Sequence, residues 1–259
     1  MKQPTVRMVV ALAGLLLAGT VAAQATPPSE EAPQRSEGWR FQVTPYVWGI
    51  GSHGSLDVGP SVIPRVHFRQ SFSDILKDLD GALFITGTAR RDRWMLAFDY
   101  SWSSQSANHE LIDLLSVHSR LRLSTGTLTA GYTVVHRDDL LLDLGAGARL
   151  WDISASLDAS VLNLGVRKRE AWVDPVVGVR VRWQISPDWS MSSYADVGRG
   201  VFGHGSKLTW QYMVAANYRL NDAWSVSIGY RRLGVDYRRN GIDLDLTLSG
   251  PLLGVTYRF

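Results

Sequence analysis

From residue 82 onward, apolar and polar residues alternate with the period of two that belongs to β-strands. The alternation predicts strands over about 82–91, 93–104, 118–136, 140–157, 168–185, 189–203, 207–219, 223–238 and 242–259. A run from Trp39 to Trp48 makes a tenth, and its Pro45, with no N–H to donate, predicts a weakened or bulged ladder. Three faces are clean. Trp94, Leu96, Phe98, Tyr100 and Trp102 oppose Met95, Ala97, Asp99, Ser101 and Ser103. Val173, Val177, Val179, Val181 and Trp183 oppose Asp174, Gly178, Arg180, Arg182 and Gln184. Leu208, Trp210, Tyr212 and Val214 oppose Thr209, Gln211, Met213 and Ala215.

Two strands change parity part-way. Leu121 and Leu123 lie on one parity, and Leu128, Ala130, Tyr132 and Val134 on the other, which predicts a bulge near Gly126. In the last strand Ile242, Leu244, Leu246 and Leu248 give way to Leu253, Val255, Tyr257 and Phe259, which predicts a bulge at Gly250-Pro251. On that reading Asp243 and Asp245 share the polar face. Between the first two strands, Phe72, Ile75, Leu76 and Leu79 follow helical spacing, predicting a short amphipathic helix capped by Ser73 and packed over a rim.

The connections fall into two classes. Four are tight and polar, at Arg91-Asp92-Arg93, Arg137-Asp138-Asp139, Pro187-Asp188 and Asn221-Asp222, and three of these lead directly into Trp94, Trp189 and Trp224. The others include long stretches at 51–81, 105–117 and 158–167. Short turns at one rim, longer loops at the other and tryptophans beside the turns are the layout of a membrane barrel. A soluble β-sandwich would also alternate, but strands of 12–19 residues exceed the usual 5–6 or so of soluble sheets. The expected fold is therefore all-β: an antiparallel up-and-down transmembrane β-barrel of about ten strands, with eight or twelve as alternatives, and a short helix in the first long loop.

The amino-terminal residues agree with export. Lys2 and Arg7 precede the apolar run Met8 to Leu17, and Ala23 and Ala25 end small-residue cleavage sites. The run is shorter than the roughly 20 residues a spanning helix needs. Residues 1–25 are expected to be a signal peptide cleaved after Ala23 or Ala25, residues 26–38 a disordered leader rich in Pro, Glu and Ser, and residues 39–259 the barrel. The chain has no cysteine, which excludes disulfide scaffolds, zinc-thiolate sites and thiol enzymes. Its 27 basic and 24 acidic residues become 25 and 24 without the signal peptide, too even a balance to point to nucleic acid. Ten Trp and nine Tyr suit interfacial belts.

Several stretches together resemble a family of uncharacterised bacterial outer-membrane β-barrel proteins. They are Trp39 through Pro45-Tyr46-Val47-Trp48, Ser71-Phe72-Ser73-Asp74-Ile75-Leu76, Arg93-Trp94 through Asp99, Trp172 through Arg180, Gly229-Tyr230-Arg231 and Leu248 through Gly254. One position departs from the pattern: Arg199 stands where a second glycine is expected after Gly198. The closing alternation, with Tyr257 and a terminal Phe259, resembles the last strand by which assembly machinery recognises such barrels. The resemblance implies a place in the outer membrane of a Gram-negative bacterium, with outer-membrane lipid, periplasmic chaperones and the barrel-assembly machinery as partners. It implies no activity.

Candidate chemistry is sparse. The polar parity collects Arg40, Asp99, Asp143, Arg149, Asp174, Arg180, Arg182 and Arg231 in the lumen, where acids and bases compensate one another or form a selectivity ring. Six histidines occur, and only His109 beside Glu110, or His204 with Asp196, imitates a rim catalytic pair. Gly145-Ala146-Gly147 and Gly198-Arg199-Gly200 lie within strands and read as close backbone packing. No cofactor or metal motif is present. The reading that follows is a non-enzymatic structural or small-solute barrel with a largely filled polar lumen. Its alternatives are a barrel enzyme acting at the outer rim on lipid A or peptides, and an adhesion or ligand-binding barrel using its outer loops.

Overall fold

The computed structural model describes residues 38–58, 66–112, 115–159, 164–201, 204–239 and 241–259, with the side chains at 56–58, 66, 107–112, 115–119, 157–159 and 164–167 outside the description. The expected signal peptide and nearly all of the expected leader lie outside the described residues. The elements are β1 (Arg40–Trp48), β2 (Gly51–Val58), β3 (Val66–Gln70), α1 (Phe72–Lys77), β4 (Leu79–Arg91), β5 (Trp94–Ile112), β6 (Leu115–His136), β7 (Leu140–Ala159), β8 (Leu164–Gln184), β9 (Trp189–Gly198), β10 (Leu208–Arg219), β11 (Trp224–Arg239) and β12 (Ile242–Arg258).

β1 and β4 to β12 form a closed antiparallel barrel of ten strands, each paired with the next and β12 returning to β1. At the seam Phe41 and Phe259 exchange two main-chain bonds of 3.0 Å. The ladder from β1 to β4 ends at Pro45, paired with Ile85, where the proline ring removes the N–H. β12 stays with β1 as far as Trp48 and takes β2 as its neighbour from Ser249 onward, and β3 pairs outside β2, so the two add an extra hairpin to the wall. The stretches at 105–117 and 158–167, expected as loops, are mostly strand: β5, β6, β7 and β8 extend the wall beyond the barrel's middle. β9 stops at Gly198, short of the expected 203.

α1 follows β3. Its cap is Ser71 rather than Ser73: the Asp74 N–H donates to Ser71 Oγ at 3.3 Å, and the Ser71 N–H donates to Asp74 Oδ2 at 3.1 Å. The Ser71 hydroxyl and N–H hold the Asp74 carboxyl below the usual carboxylate range. Of the expected apolar face Ile75 is buried, while Phe72 and Leu76 stay exposed.

The tight turns lie at one rim together with the Phe41–Phe259 seam, and this turn rim carries a girdle. Trp94 meets Tyr132 edge-on at 5.2 Å, Trp189 meets Tyr218 at 5.0 Å, and Trp224 meets Tyr257 at 4.7 Å. Above it the outward face is apolar through Leu96, Leu128, Val177 and Ile228. Trp210 stacks on Tyr212 at 6.2 Å towards its upper edge. About ten residues of strand, at about 3.3 Å each and a tilt of about 40°, span the roughly 25 Å of such a band.

The two expected bulges are absent. β12 pairs with β11 residue for residue from Tyr257–Trp224 to Ile242–Arg239, straight through Gly250-Pro251. β6 runs unbroken past Gly126, and its irregularity against β7 falls between Thr133 and Val135. Parity is therefore kept, and it is the environment that changes. Leu123, Leu244, Leu246 and Leu248 point inward and pack together above the girdled half. Asp243 and Asp245 point outward, Asp243 pairing with Arg238 at 2.5 Å. Ladder bonds cost nothing to continue, whereas a bulge leaves a residue unpaired.

Candidate functional site

The lumen at mid-height is crossed by charged side chains. Arg231, on the inward parity of β11, is 1% exposed. Its Nη2 donates to Asp99 Oδ1 on β5 at 2.6 Å and to Gln211 Oε1 on β10 at 2.8 Å. Its Nη1 donates to Ser101 Oγ at 3.0 Å and to the Tyr46 hydroxyl on β1. Tyr46 in turn donates to Asp99 Oδ2 at 3.0 Å. The guanidinium lies 4.7 Å from the centre of the Trp48 ring, where the π-face favours a cation.

Arg149 on β7 is also fully buried. It donates to Thr127 Oγ1 at 3.1 Å, Thr209 Oγ1 at 3.0 Å and Asp196 Oδ2 at 2.7 Å, reaching β6, β10 and β9. Nearer the turn rim, Arg90 makes a two-pronged bond to Asp143 at 2.6 and 2.9 Å, and Thr133 donates to the same carboxylate at 2.6 Å. Bidentate geometry and added hydroxyl donors are what a carboxylate needs when it leaves water.

The predicted lumen residues divide. Asp99 with Arg231 forms a pair across the lumen, and Arg149 with Asp196 a pair that spans the one strand between β7 and β9. Asp143 finds Arg90. Arg180 lies over the Tyr194 ring at 4.7 Å. Arg182 lines the space below, beside Arg219 and Arg258, with no ion pair among the described residues. Arg40 is exposed at the turn rim. Asp174 joins no arginine among the described residues. It accepts from the Ser206 N–H at 2.8 Å, from Ser206 Oγ at 2.6 Å and from Trp172 Nε1 at 3.0 Å, so it ties the β9–β10 connection to β8. That turn needs glycine: Gly205 has φ +95°, and a Cβ there would sit 2.3 Å from Asp174 Oδ1. Tyr257 and Phe259 are exposed on the outward face of β12, their rings 5.6 Å apart.

Arg90 was not among the predicted residues, because Arg90-Arg91-Asp92-Arg93 reads as a polar turn. Counting parity back to the buried Phe84 would have found it, since both are even-numbered. The rim pairs fare differently. His204 Nδ1 lies 2.6 Å from Arg239 Nη1, while Asp196 is bound to Arg149, so those two are not assembled. The side chains of His109 and Glu110 lie outside the described residues. Gly145 and Gly147 sit where a Cβ would strike β6 backbone, at 2.9 and 1.9 Å, as close packing requires.

Above the charged layer lies an apolar one. Trp151 and Trp172 stack at 6.0 Å, and Trp172 stacks on Tyr237 at 4.0 Å. The second stack bridges β8 and β11 where the shorter β9 and β10 leave the wall low. Over this layer, inside the extended hairpins, is a cavity of about 460 Å³. Its lining includes Leu121, Leu123, Ile153, Leu246 and Leu248, with Lys168 and Glu170 as its charged members among the described residues.

No family model matches the chain, and no curated protein matches its sequence. Among solved structures, the outer membrane protease OmpT from Escherichia coli is similar with a TM-score of 0.60 and 12% identity, over 89% of this chain and 100% of that one. The Neisserial surface protein A, NspA, gives 0.35 and 13% over 85% and 97% of the two chains. Ail, the attachment invasion locus protein of Yersinia pestis, gives 0.36 and 8% over 86% and 99%. The likeness to OmpT is one of fold and carries no site residue across.

Proposed function

We propose that this protein is an outer-membrane β-barrel of a Gram-negative bacterium whose lumen is closed at mid-height, a structural barrel rather than a pore. One observation carries the reading. Arg231 on β11 binds Asp99 on β5, four strands away round a wall of ten, and shares that layer with Tyr46 and Gln211. Eight strands enclose an interior that side chains fill, while water-filled porins use about 16–18. Ten strands carrying long, mutually paired side chains lie near the filled end.

The setting rests on the apolar band, the aromatic girdle and the export pattern of residues 1–25. The turn rim then faces the periplasm and the extended hairpins face outward. Outer-membrane lipid surrounds the band. Periplasmic chaperones and the assembly machinery would meet the exposed aromatic face of β12 at Tyr257 and Phe259. No catalytic role is assigned.

Purified protein in planar bilayers should show no steady porin-sized conductance at neutral pH, and protein from outer membranes should begin after Ala23 or Ala25. A large, steady conductance in the unmodified protein would overturn the closed lumen. A chain retaining residues 1–25 in the membrane fraction would overturn the setting.

A further inference from the structure

The hairpin half of the barrel is built like a soluble ligand-binding barrel. Its outward face carries Arg120, Arg122 and the Asp152–Arg169 pair at 2.6 Å, and its inward face is mainly aliphatic and aromatic, with Gln70, Ser103 and Gln105 among its polar members. Close-packed interiors leave few voids larger than a water. Here about 460 Å³ is left open, within the range of sites that hold a small molecule. The cavity is blind. Trp48, Trp151 and Leu233 are buried beneath it, and under Trp48 lies the guanidinium of Arg231.

Its charges are placed unequally. On β8 the inward residues ascend from Trp172 through Glu170 to Lys168, so Lys168 stands nearest the open end, level with Ala155. The Glu170 carboxylate accepts the Tyr237 hydroxyl at 3.1 Å. Lys168 makes no ion pair among the described residues and is exposed. A deep aliphatic lining with a cation at its edge is complementary to a hydrocarbon chain that ends in an anion.

We propose that the hairpin half is a binding cup for one single-chain amphiphile of the fatty-acid class. The chain lies against Leu123, Ile153, Leu246 and Leu248, and the carboxylate meets the Lys168 ammonium.

Dodecanoate and dodecyltrimethylammonium, titrated against the barrel in lipid nanodiscs and read by native mass spectrometry, test this. One saturable dodecanoate per barrel is expected, bound more tightly than the cation. Ala155→Trp, which fills the cup from its edge, and Leu123→Arg should each weaken dodecanoate roughly tenfold or more. Lys168→Glu should reverse the preference between the two probes. Folding of each variant is checked by the mobility of unheated samples on gels. Ala155→Trp and Lys168→Glu alter partly exposed positions, so at least these two should yield folded barrel. Absence of saturable binding, or equal binding in wild type and Ala155→Trp, would overturn the cup. Equal affinity for the two probes would overturn the anionic head. A conducting barrel that binds dodecanoate would remove only the closed lumen, and a silent barrel that binds none would remove only the cup.

Discussion

Along β12, Leu253, Val255 and Tyr257 look outward, whereas Leu244, Leu246 and Leu248 look inward from the same unbroken ladder. β6 does likewise, with Leu128 and Tyr132 exposed outward and Leu123 packed inward. The girdled half is apolar outside and polar within. The hairpin half is polar outside and apolar within. One continuous sheet serves two solvents, and the side chains rather than the backbone mark where one gives way to the other. In the girdled half the interior must then compensate its own charges, which Arg231, Arg149 and Arg90 do by pairing with carboxylates on other, non-adjacent strands. The hairpin half meets no such demand, and its interior can be left open.

The sharpest way to break this comparison is to remove a lumen charge. Arg231→Ala leaves the largely enclosed Asp99 without its cation and should cost about 3–5 kcal/mol in urea titrations of the barrel in vesicles. Lys168→Ala, an exposed cation of the hairpin half, should stay within about 0.5 kcal/mol in the same titration. Comparable losses would mean that the two interiors are not different in kind.

The outward faces give a smaller contrast. Val177→Arg, in the apolar band, should cost about 2–4 kcal/mol if it lies near the bilayer midplane. Ser154→Arg, outward on the hairpin half beside Asp152, should cost about 0.5 kcal/mol or less. Equal costs, measured by folding into vesicles, would erase the boundary drawn between the halves.

The smallest effect is local, at α1, where the extra hairpin returns to the barrel. Ser71→Ala removes the cap and should cost about 1 kcal/mol, seen as faster amide exchange in residues 72–77. The Asp74 carboxyl titrates below its unfolded value, so its contribution is present above that value and is lost as pH falls through the folded one. Acid should therefore loosen α1, and less so in Ser71→Ala, which lacks the hydroxyl partner.

Much of the girdled half was legible in the sequence, because a membrane demands one rule over many residues. From Trp94 to Trp102 every second residue is a large apolar one, and the Asp-to-Trp turns mark the rim three times over. The hairpin half was not. A change of apolar parity at Gly126 or Gly250 has two physical causes: a bulge that rotates the strand, or an unrotated strand passing into another solvent. Both write the same letters. For that reason Asp243 and Asp245 were assigned to the wrong face, and the cavity had no sequence signature of its own.

The sequence by itself determined the strand alternation, the turn rim and the inward parity of Asp99, Arg149 and Arg231, since period-two alternation is a local property of the backbone; that ten strands close the barrel and a further hairpin joins the wall was decided by the fold. Only the tertiary structure decided which charge meets which, that Asp174 serves a turn while Arg90 serves Asp143, and that the apolar faces of β6 and β12 exchange sides. Those outcomes depend on which strands stand across the lumen and where the wall leaves the apolar band, and both are set by barrel closure among residues far apart in the chain.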